Sequence, residues 1–238
     1  MDDELRTSAA HVFVTAPELD RPGGPQLDAD DVHHLERVLR LRPGEPVSVS
    51  DGAGRWRLCR WRPGAVLELD GDMRVVEAGQ PAITIGFVPV KGERPEWTVQ
   101  KLTEIGVDRI VPLRSARSVV KGEGNRGSMQ VDRLRRVARE ACAQARRCHV
   151  PRIDDVTTPA AVAGAAYAQF GGEAPDLARP TVLIGPEGGW TADETRGSPT
   201  VSLGPTVLRA ETAAVAAAVL LCALRTRTVV VSDHGPWS

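Results

Sequence analysis

The feature that most constrains the fold is a pair of short apolar segments that each run directly into a Gly-Pro loop. Thr181–Ile184 leads into Gly185-Pro186-Glu187-Gly188-Gly189, and residues 200–203 lead into Gly204-Pro205. Ligands of α/β proteins bind beyond the carboxyl ends of such strands. Glycines let a ligand approach the backbone, and prolines stiffen the turns. The pair therefore predicts a backbone-lined pocket; the alternative is two tight structural turns.

From residue 82 onward, strand patterns alternate with helix patterns, which predicts a mainly parallel sheet covered by helices. The predicted strands are 83–88, 109–113, 181–184 and 200–203. The predicted helices are 96–105, 131–146, 160–168 and 210–225. Residues 164–180 are rich in Ala, Gly and Pro, and we expect them to form at most a mobile connection.

The first third of the chain has the pattern of short strands interrupted by one helix. Turn residues separate alternating segments at 11–15, 46–50, 55–61 and 65–70. The helix is expected to begin at the cap Asp28 and to end before Pro43-Gly44. Turn formers at 77–81 precede the next apolar run, so we predict a small β-barrel domain at 1–78 and a second domain at 79–238.

Basic residues are unevenly distributed in a chain whose net charge is only −1. Residues 114–147 contain ten basic and three acidic residues, and residues 32–62 contain seven arginines and three acidic residues. Such clusters neutralise phosphates, and arginine also stacks on unpaired bases, so they favour an RNA partner. A solvated helix face is the alternative. For Trp56 and Trp61, packing in the core is favoured over stacking on bases.

Several classes of function and location are disfavoured. Neither loop matches the Gly-x-Gly-x-x-Gly or Gly-x-x-x-x-Gly-Lys-Ser/Thr phosphate-binding pattern. The four cysteines form no Cys-x-x-Cys pair, and the adjacent His33 and His34 point in different directions, so we predict no metal site. The longest strongly apolar stretch, 213–224, is shorter than the roughly 20 residues of a membrane span. Since the start also lacks a signal-peptide pattern, we expect a cytoplasmic protein.

Further motifs lie outside the two loops, and their combination with the loops is far more specific than any single motif. They are Gln100-Lys101-Leu102-Thr103-Glu104-Ile105-Gly106-Val107, Ser115-Ala116-Arg117-Ser118, Glu140-Ala141-Cys142-Ala143-Gln144-Ala145-Arg146-Arg147, and His33-His34-Leu35 with Val38-Leu39-Arg40. In this order, and with the two loops close to the C-terminus, the chain resembles the ribosomal RNA small-subunit methyltransferase E family, a branch of the SPOUT methyltransferases. The resemblance covers nearly the whole chain.

The resemblance implies an α/β fold in which a SPOUT-type parallel sheet domain with a trefoil knot follows a PUA-like RNA-binding β-barrel. It also implies a homodimer that packs through the knotted domain. In similar proteins S-adenosylmethionine lies bent in the knot and is held mainly by the backbone of the two loops. The residues expected to bind this donor are Leu183, Ile184, Gly185, Pro186, Glu187, Gly188, Gly189, Ser202, Leu203, Gly204, Leu208, Arg209, Glu211, Thr212 and Ala213.

The implied reaction transfers a methyl group to N3 of a uracil in the 16S rRNA of the small ribosomal subunit. Arg209 is the candidate to stabilise the uracil anion, and Glu187 is the candidate to accept the N3 proton or to fix the donor. The alternative is that both are structural, with Arg209 only pairing with Glu211. The residues expected to contact RNA are Lys101, Arg114, Arg117, Gln144, Arg147, Arg37 and Arg40. The alternatives are a knotted ribose 2′-O-methyltransferase and a non-catalytic PUA-like RNA-binding or ribosome assembly factor.

The chain departs from the family pattern at two places. Similar proteins have a further helix between the two loops, but residues 190–201 are expected to be too few for a helix and a strand. Where the family's barrel is expected to open with basic and aromatic residues, this chain has Ala10-His11-Val12-Phe13. Arg6 is a candidate to substitute for the missing basic residue.

Overall fold

The computed structural model describes residues 2–89, 94–118 and 125–229. The chain packs into two compact units, one formed by residues 1–78 with 139–150 and the other by residues 79–138 with 151–238. The division between the units falls within one helix, α5, Asn125–Ala145. Its residues from 139 onward belong to the first unit.

The first unit contains a five-stranded sheet and three short helices. Its strands are β1 Ala10–Phe13, β2 Pro46–Ser50, β3 Arg55–Arg62, β4 Val66–Leu69 and β5 Arg74–Val75. Its helices are α1 Asp3–Thr7, α2 Ala16–Leu19 and α3 Ala29–His33. β1 is parallel to β2, whereas β2, β4 and β5 all pair antiparallel with β3. Alternate strand residues such as Val47, Val49 and Trp61 fill the core beneath this sheet.

The predicted helix begins at its predicted cap. The Asp28 carboxylate accepts a hydrogen bond from the Asp31 amide at 2.7 Å, as an N-cap residue does. After α3 the backbone widens into a π-helical turn, His34–Val38. A π-turn holds more residues than an α-turn, so it rotates the following side chains away from their helical positions. Leu35 is fully buried, but Val38 and Leu39 are exposed to solvent.

Residues 139–150 are held in the first unit partly by arginine side chains. Arg139 donates to the Phe13 carbonyl at 2.8 Å, and its guanidinium lies 5.1 Å from the centre of the Phe13 ring. Arg146 donates to the Ser8 carbonyl at 2.9 Å. Some of the arginines in the basic segment are therefore structural. Trp56 and Trp61 are both buried, which confirms the prediction that they pack in the core.

The second unit is a six-stranded sheet covered by helices. Its strands are β6 Thr84–Phe87, β7 Arg109–Pro112, β8 Arg152–Ile153, β9 Ala166–Glu173, β10 Thr181–Ile184 and β11 Thr200–Val201. Their order across the sheet is β11-β9-β10-β6-β7-β8. Every pairing in it is parallel, so the predicted parallel sheet is confirmed. Besides α5, its helices are α4 Arg94–Ile105, α6 Ala192–Thr195 and α7 Ala210–Arg225.

The core of the second unit lies between this sheet and its helices. Ile85, Ile110 and Val182 point from the strands towards Leu102 of α4 and Leu221 of α7, and all are buried. Fully burying one such Leu or Ile stabilises a fold by roughly 1.5–3 kcal/mol. The alanines of α7 let this helix pack closely against α4 and the sheet.

The helix predicted at 160–168 and the mobile connection predicted at 164–180 are both wrong. Pro159–Ala161 forms only a 3-10 turn, and Ala166–Glu173 is strand β9, which lies between β10 and β11. The alanines of this region favour a helix locally, but two neighbouring strands offer Ala166 and Tyr167 a buried place in the sheet. Tertiary pairing outweighed the local propensity.

The segment 190–201, predicted to be too short for a helix and a strand, holds both. The helix, α6, has only four residues, and the strand, β11, has two. A capping box stabilises α6, since the Thr191 hydroxyl accepts from the Glu194 amide and the Glu194 carboxylate accepts from the Thr191 amide.

Candidate active site

A cavity of about 600 Å³ lies at the carboxyl ends of three neighbouring strands of the second unit, β9, β10 and β11. This volume is within the range of pockets that enclose small ligands, roughly 300–1,000 Å³. The wall consists of apolar side chains, exposed backbone and a few hydroxyl groups. It is formed by Ala168, Gln169, Phe170, Ile184, Gly185, Pro186, Glu187, Gly189, Trp190, Thr191, Ala192, Thr195, Ser202, Leu203, Gly204, Thr206, Val207, Leu208, Ala210 and Ala213.

The first Gly-Pro loop, residues 185–189, is a compact turn that packs beneath an aromatic ring. The Gly189 amide donates to the Pro186 carbonyl at 2.8 Å. A Cβ atom on Gly185 would lie 3.0 Å from the ring of Trp190, so this glycine allows the indole to lie against the loop. The indole in turn packs edge-on against Tyr167 of β9, with 5.0 Å between ring centres.

The turn at 115–118 is attached to the first loop. Arg117 donates a hydrogen bond to the Gly188 carbonyl. The Ala116 amide donates to Oε1 of Glu194 on α6 at 2.9 Å. Since Thr191 and Thr195 of the same region line the cavity, these bonds fix one wall of the pocket.

The second loop, residues 203–209, is held at its two ends. The Ser202 amide donates to the Glu173 carbonyl at 2.8 Å, and the Ala213 amide donates to the Arg209 carbonyl at 2.8 Å. Gly204 has a φ of +135°, a conformation that residues with a side chain rarely adopt. Arg209 occupies the N-cap position of α7 and is exposed, and its side chain makes no capping hydrogen bond.

Glu187 is the only ionisable residue in the described lining of the cavity. Its carboxylate lies 3.9 Å from the guanidinium of Arg94, which also lies 3.8 Å from the Glu211 carboxylate. One oxygen of Glu211 is buried without a hydrogen-bond partner. The described residues show no ion pair between Arg209 and Glu211, so Glu211 is associated with Arg94 instead.

The predicted donor residues converge on this cavity. Those in its wall are Ile184, Gly185, Pro186, Glu187, Gly189, Ser202, Leu203, Gly204, Leu208 and Ala213. Leu183 is fully buried in β10, and Gly188 faces Arg117. Arg209, Glu211 and Thr212 lie at the start of α7, beside the lining residue Ala210.

The predicted RNA-binding residues are distributed over both units. In the second unit Arg114 and Arg117 are exposed, and Lys101 pairs with Glu104 at 2.8 Å. In the first unit Arg37, Arg40 and Gln144 are exposed, and Arg147 is half-buried. Of these, Arg117 contacts the first loop through the Gly188 carbonyl, and Arg114 directly precedes the turn 115–118.

Three sets of site residues were missed by the sequence predictions. Ala168, Gln169 and Phe170 of β9 line the cavity, but their segment was assigned to a helix and a loop. Glu194 could have been found, because Thr191-x-x-Glu194 has the capping-box pattern. Arg94 offered no local signal, since its contacts with Glu187 and Glu211 depend on the fold.

In the part of the chain that the structure describes, no group of three or more His, Cys, Asp or Glu side chains is arranged to hold a metal ion. No helix among these residues is long and apolar enough to cross a membrane. All four cysteines are buried, and burial raises the pKa of the Cys59 thiol to about 12 and of the Cys142 thiol to about 11.

Two family profiles match the chain, one in each half of the sequence order predicted above. The profile of the RNA methyltransferase domain matches residues 78–222, and that of the RNA methyltransferase PUA domain matches residues 27–60. A ribosomal RNA small subunit methyltransferase E from Mycobacterium bovis is 34% identical over 223 residues, which cover 80% of this chain and 83% of that protein. The chain belongs to the ribosomal RNA small subunit methyltransferase E family. The resemblance inferred from its motifs is thereby confirmed.

Other members of the ribosomal RNA small subunit methyltransferase E family extend the comparison. One from Synechocystis is 30% identical over 243 residues, which cover 90% of this chain and 78% of that protein. One from Neisseria gonorrhoeae, solved bound to S-adenosylmethionine, is 26% identical with a TM-score of 0.74 and covers 90% of this chain and 97% of its own. The predicted SPOUT-type α/β fold with an N-terminal PUA domain is confirmed, whereas the trefoil knot stays a prediction.

Proposed function

We propose that this chain methylates N3 of a uracil in the 16S rRNA of the small ribosomal subunit, with S-adenosylmethionine as the methyl donor. Its family is named for methylation of small-subunit ribosomal RNA, and a member is known with that donor bound. The observation that carries the proposal is the cavity of about 600 Å³ that both Gly-Pro loops line. We keep 1–78 as the RNA-binding PUA domain and 79–238 as the methyltransferase domain.

The residues of the cavity fit this donor in shape and charge. Ile184, Leu203 and Leu208 provide apolar surface for an adenine ring, and the glycines provide backbone that a ligand can reach. The carboxylate of Glu187 complements a cationic ligand. The indole N–H of Trp190 is buried without a hydrogen-bond partner, as expected where a polar ligand supplies the acceptor.

The reaction requires that the N3 proton of the uracil is removed before or during transfer. When bound, the donor supplies an electrophilic methyl group on a cationic sulfur. We assign Glu187 to accept the N3 proton, and Arg209 to donate hydrogen bonds to the carbonyl oxygens where the negative charge collects. The N3 electron pair forms the new N–C bond as the C–S bond breaks, so charge and atoms balance. Both side chains are exposed and available to a substrate.

The RNA contacts are assigned to exposed basic side chains. Arg114 and Arg117 extend from the turn beside the first loop, where they can meet phosphates near the target base. Arg37 and Arg40 are exposed on the PUA unit, where they can bind RNA more distant in sequence. We retain Lys101, Gln144 and Arg147 as further contacts, with Lys101 exchanging Glu104 for a phosphate.

Nucleoside mass spectrometry of small ribosomal subunits treated with the protein and S-adenosylmethionine tests the proposal. We expect one new base-methylated uridine, modified at N3. A methyl group on the ribose would replace the proposal with the 2′-O-methyltransferase alternative. Absence of donor binding, measured by calorimetry, would leave the non-catalytic RNA-binding alternative.

We also propose that the chain forms a homodimer through its methyltransferase domain. The helices α4 and α7 pack against each other. Three large apolar side chains are exposed on them, and these are Trp97 of α4 and Val219 and Leu220 of α7. A second copy would remove this surface from water. Light scattering should give twice the monomer mass, and Leu220→Glu should shift it towards the monomer; a monomeric wild-type protein would contradict the proposal.

A further inference from the structure

Glu194 of α6 joins two segments of the second unit with its two carboxylate oxygens. Oε2 accepts hydrogen bonds from the amide and the hydroxyl of Thr191, both at 2.9 Å. Oε1 accepts from the Ala116 amide at 2.9 Å. One side chain therefore serves both the cap of α6, which borders the cavity, and the turn 115–118, which carries the exposed Arg117 and directly follows the exposed Arg114.

The negative charge on the Glu194 carboxylate is stabilised by its surroundings. Burial opposes its ionisation, but the hydrogen bonds from Thr191 and Ala116, with the nearby charge of Arg117, outweigh burial and hold the pKa of this carboxyl below its ordinary value. The carboxylate is therefore ionised at neutral pH. Hydrogen bonds to an ionised acceptor are stronger than those between neutral groups.

The turn on the other side of this contact is internally fixed. The Ser115 amide donates to the Ser118 hydroxyl at 2.8 Å, and the Ser118 amide donates to the Ser115 carbonyl at 3.1 Å. At the preceding residue, the Arg114 amide donates to the Thr157 carbonyl at 2.8 Å. A displacement of Arg114 or Arg117 is therefore transmitted to Ala116 rather than absorbed within the turn.

A second contact runs in parallel with the first. Arg117 donates to the Gly188 carbonyl of the first loop, and its Cδ lies 3.5 Å from where a Cβ on Gly188 would be. The turn thus touches the first loop directly and the wall formed by Thr191 and Thr195 through Glu194. A ligand that contacts Arg114 or Arg117 can therefore displace residues of the cavity wall as well.

We propose that Glu194 is a positioning residue that couples RNA binding at the turn 115–118 to methyl-donor binding in the cavity. The proposal rests on the assignments above of the cavity to the donor and of Arg114 and Arg117 to RNA. Through Glu194, RNA that orders the turn also orders the wall of the cavity, and the donor affinity rises. Linkage requires that the donor raises the RNA affinity by the same factor.

The test is a thermodynamic cycle with S-adenosylhomocysteine, which cannot transfer a methyl group. Its dissociation constant is measured by calorimetry for the full chain, with and without a saturating fragment of small-subunit rRNA. We expect RNA to tighten binding at least about 5-fold in the wild type, the lower end of common coupling factors. In Glu194→Ala the factor should fall towards 1.

The matched control is Asp193→Ala, on the same turn of α6. Asp193 is exposed and pairs with Arg196, so the variant loses the same charge at the same helix end without touching Ala116. It should keep the wild-type coupling factor. Glu194→Gln, whose amide oxygen can still accept from Ala116 but which cannot accept at both oxygens, should be intermediate, and it replaces Glu194→Ala if that variant does not fold.

The outcomes separate this inference from the proposed function. A wild type that binds S-adenosylhomocysteine and methylates rRNA, but whose coupling factor is unchanged in both Glu194 variants, overturns the role of Glu194 alone. A fall of equal size in Asp193→Ala also overturns it, since any loss of charge on α6 would then suffice. A wild type that binds no donor overturns both.

Discussion

The two loops both begin with Gly-Pro after a buried strand, but they are held very differently. The first has an internal hydrogen bond at Gly189, a capped helix directly after it and an arginine on its Gly188 carbonyl. For residues 205–208 of the second, the described part of the chain contributes no hydrogen bond, and Val207 is 93% exposed. The first loop is therefore held by hydrogen bonds along its length, whereas the second is held only at its two ends by the described residues.

This difference indicates that the first loop forms a preformed wall of the cavity and the second loop an adaptable one. A preformed site loses little conformational freedom when its ligand binds. An adaptable segment loses more, so contacts from the ligand, the RNA or a second subunit must order it. Arg209, the residue assigned to the uracil anion, lies where the adaptable segment meets α7: its backbone is held by the helix, and its exposed side chain can adjust to the substrate.

The largest expected effect is that of Arg209→Ala in the second loop. If Arg209 stabilises the developing charge, single-turnover methylation should slow by about 100-fold or more, the usual cost of losing such a donor. Since the side chain is exposed and makes no capping bond, the melting temperature should hardly change. Arg227→Ala removes an exposed arginine just beyond the other end of α7 and is the control. Rates within two-fold of the wild type would remove Arg209 from the mechanism.

Substitution of one glycine in each loop should expose the contrast in how they are held. Gly185→Ala places a Cβ 3.0 Å from the Trp190 ring, so packing must shift at a cost of about 1–3 kcal/mol, and donor affinity should fall. Gly204→Ala meets open space, but its φ of +135° is strained for alanine by about 1–3 kcal/mol. Chemical denaturation measures both changes.

A double-mutant cycle distinguishes these two causes. Trp190→Leu should relieve Gly185→Ala, with a coupling energy above about 0.5 kcal/mol, because it removes the ring that the new methyl group meets. The same change should be additive with Gly204→Ala, whose strain is in the backbone. Equal coupling in both cycles would mean that the loops are not held in the different ways described.

The contrast between the loops also marks what the sequence could predict. The strands before both loops and the pocket beyond them followed from apolar runs ending in Gly-Pro. β9 could not be found, because Ala166 and Tyr167 are placed in a strand by their neighbours rather than by their own propensity. The contacts of Arg117 with Gly188 and of Ala116 with Glu194 join residues more than 70 positions apart, and only the fold brings them together.

The smallest expected effects distinguish Arg117 of the turn 115–118 from Arg114, which directly precedes it. Arg114→Ala and Arg117→Ala should each weaken RNA binding a few-fold and reduce its salt dependence by about one counterion. Only Arg117→Ala should also weaken donor binding without RNA, since Arg117 contacts the first loop. Titrations with RNA at several salt concentrations, and with donor alone, measure both effects. If both variants bind the donor as the wild type does, the Gly188 contact contributes nothing to the preformed wall, and the stability of the first loop depends on its own turn and the α6 cap alone.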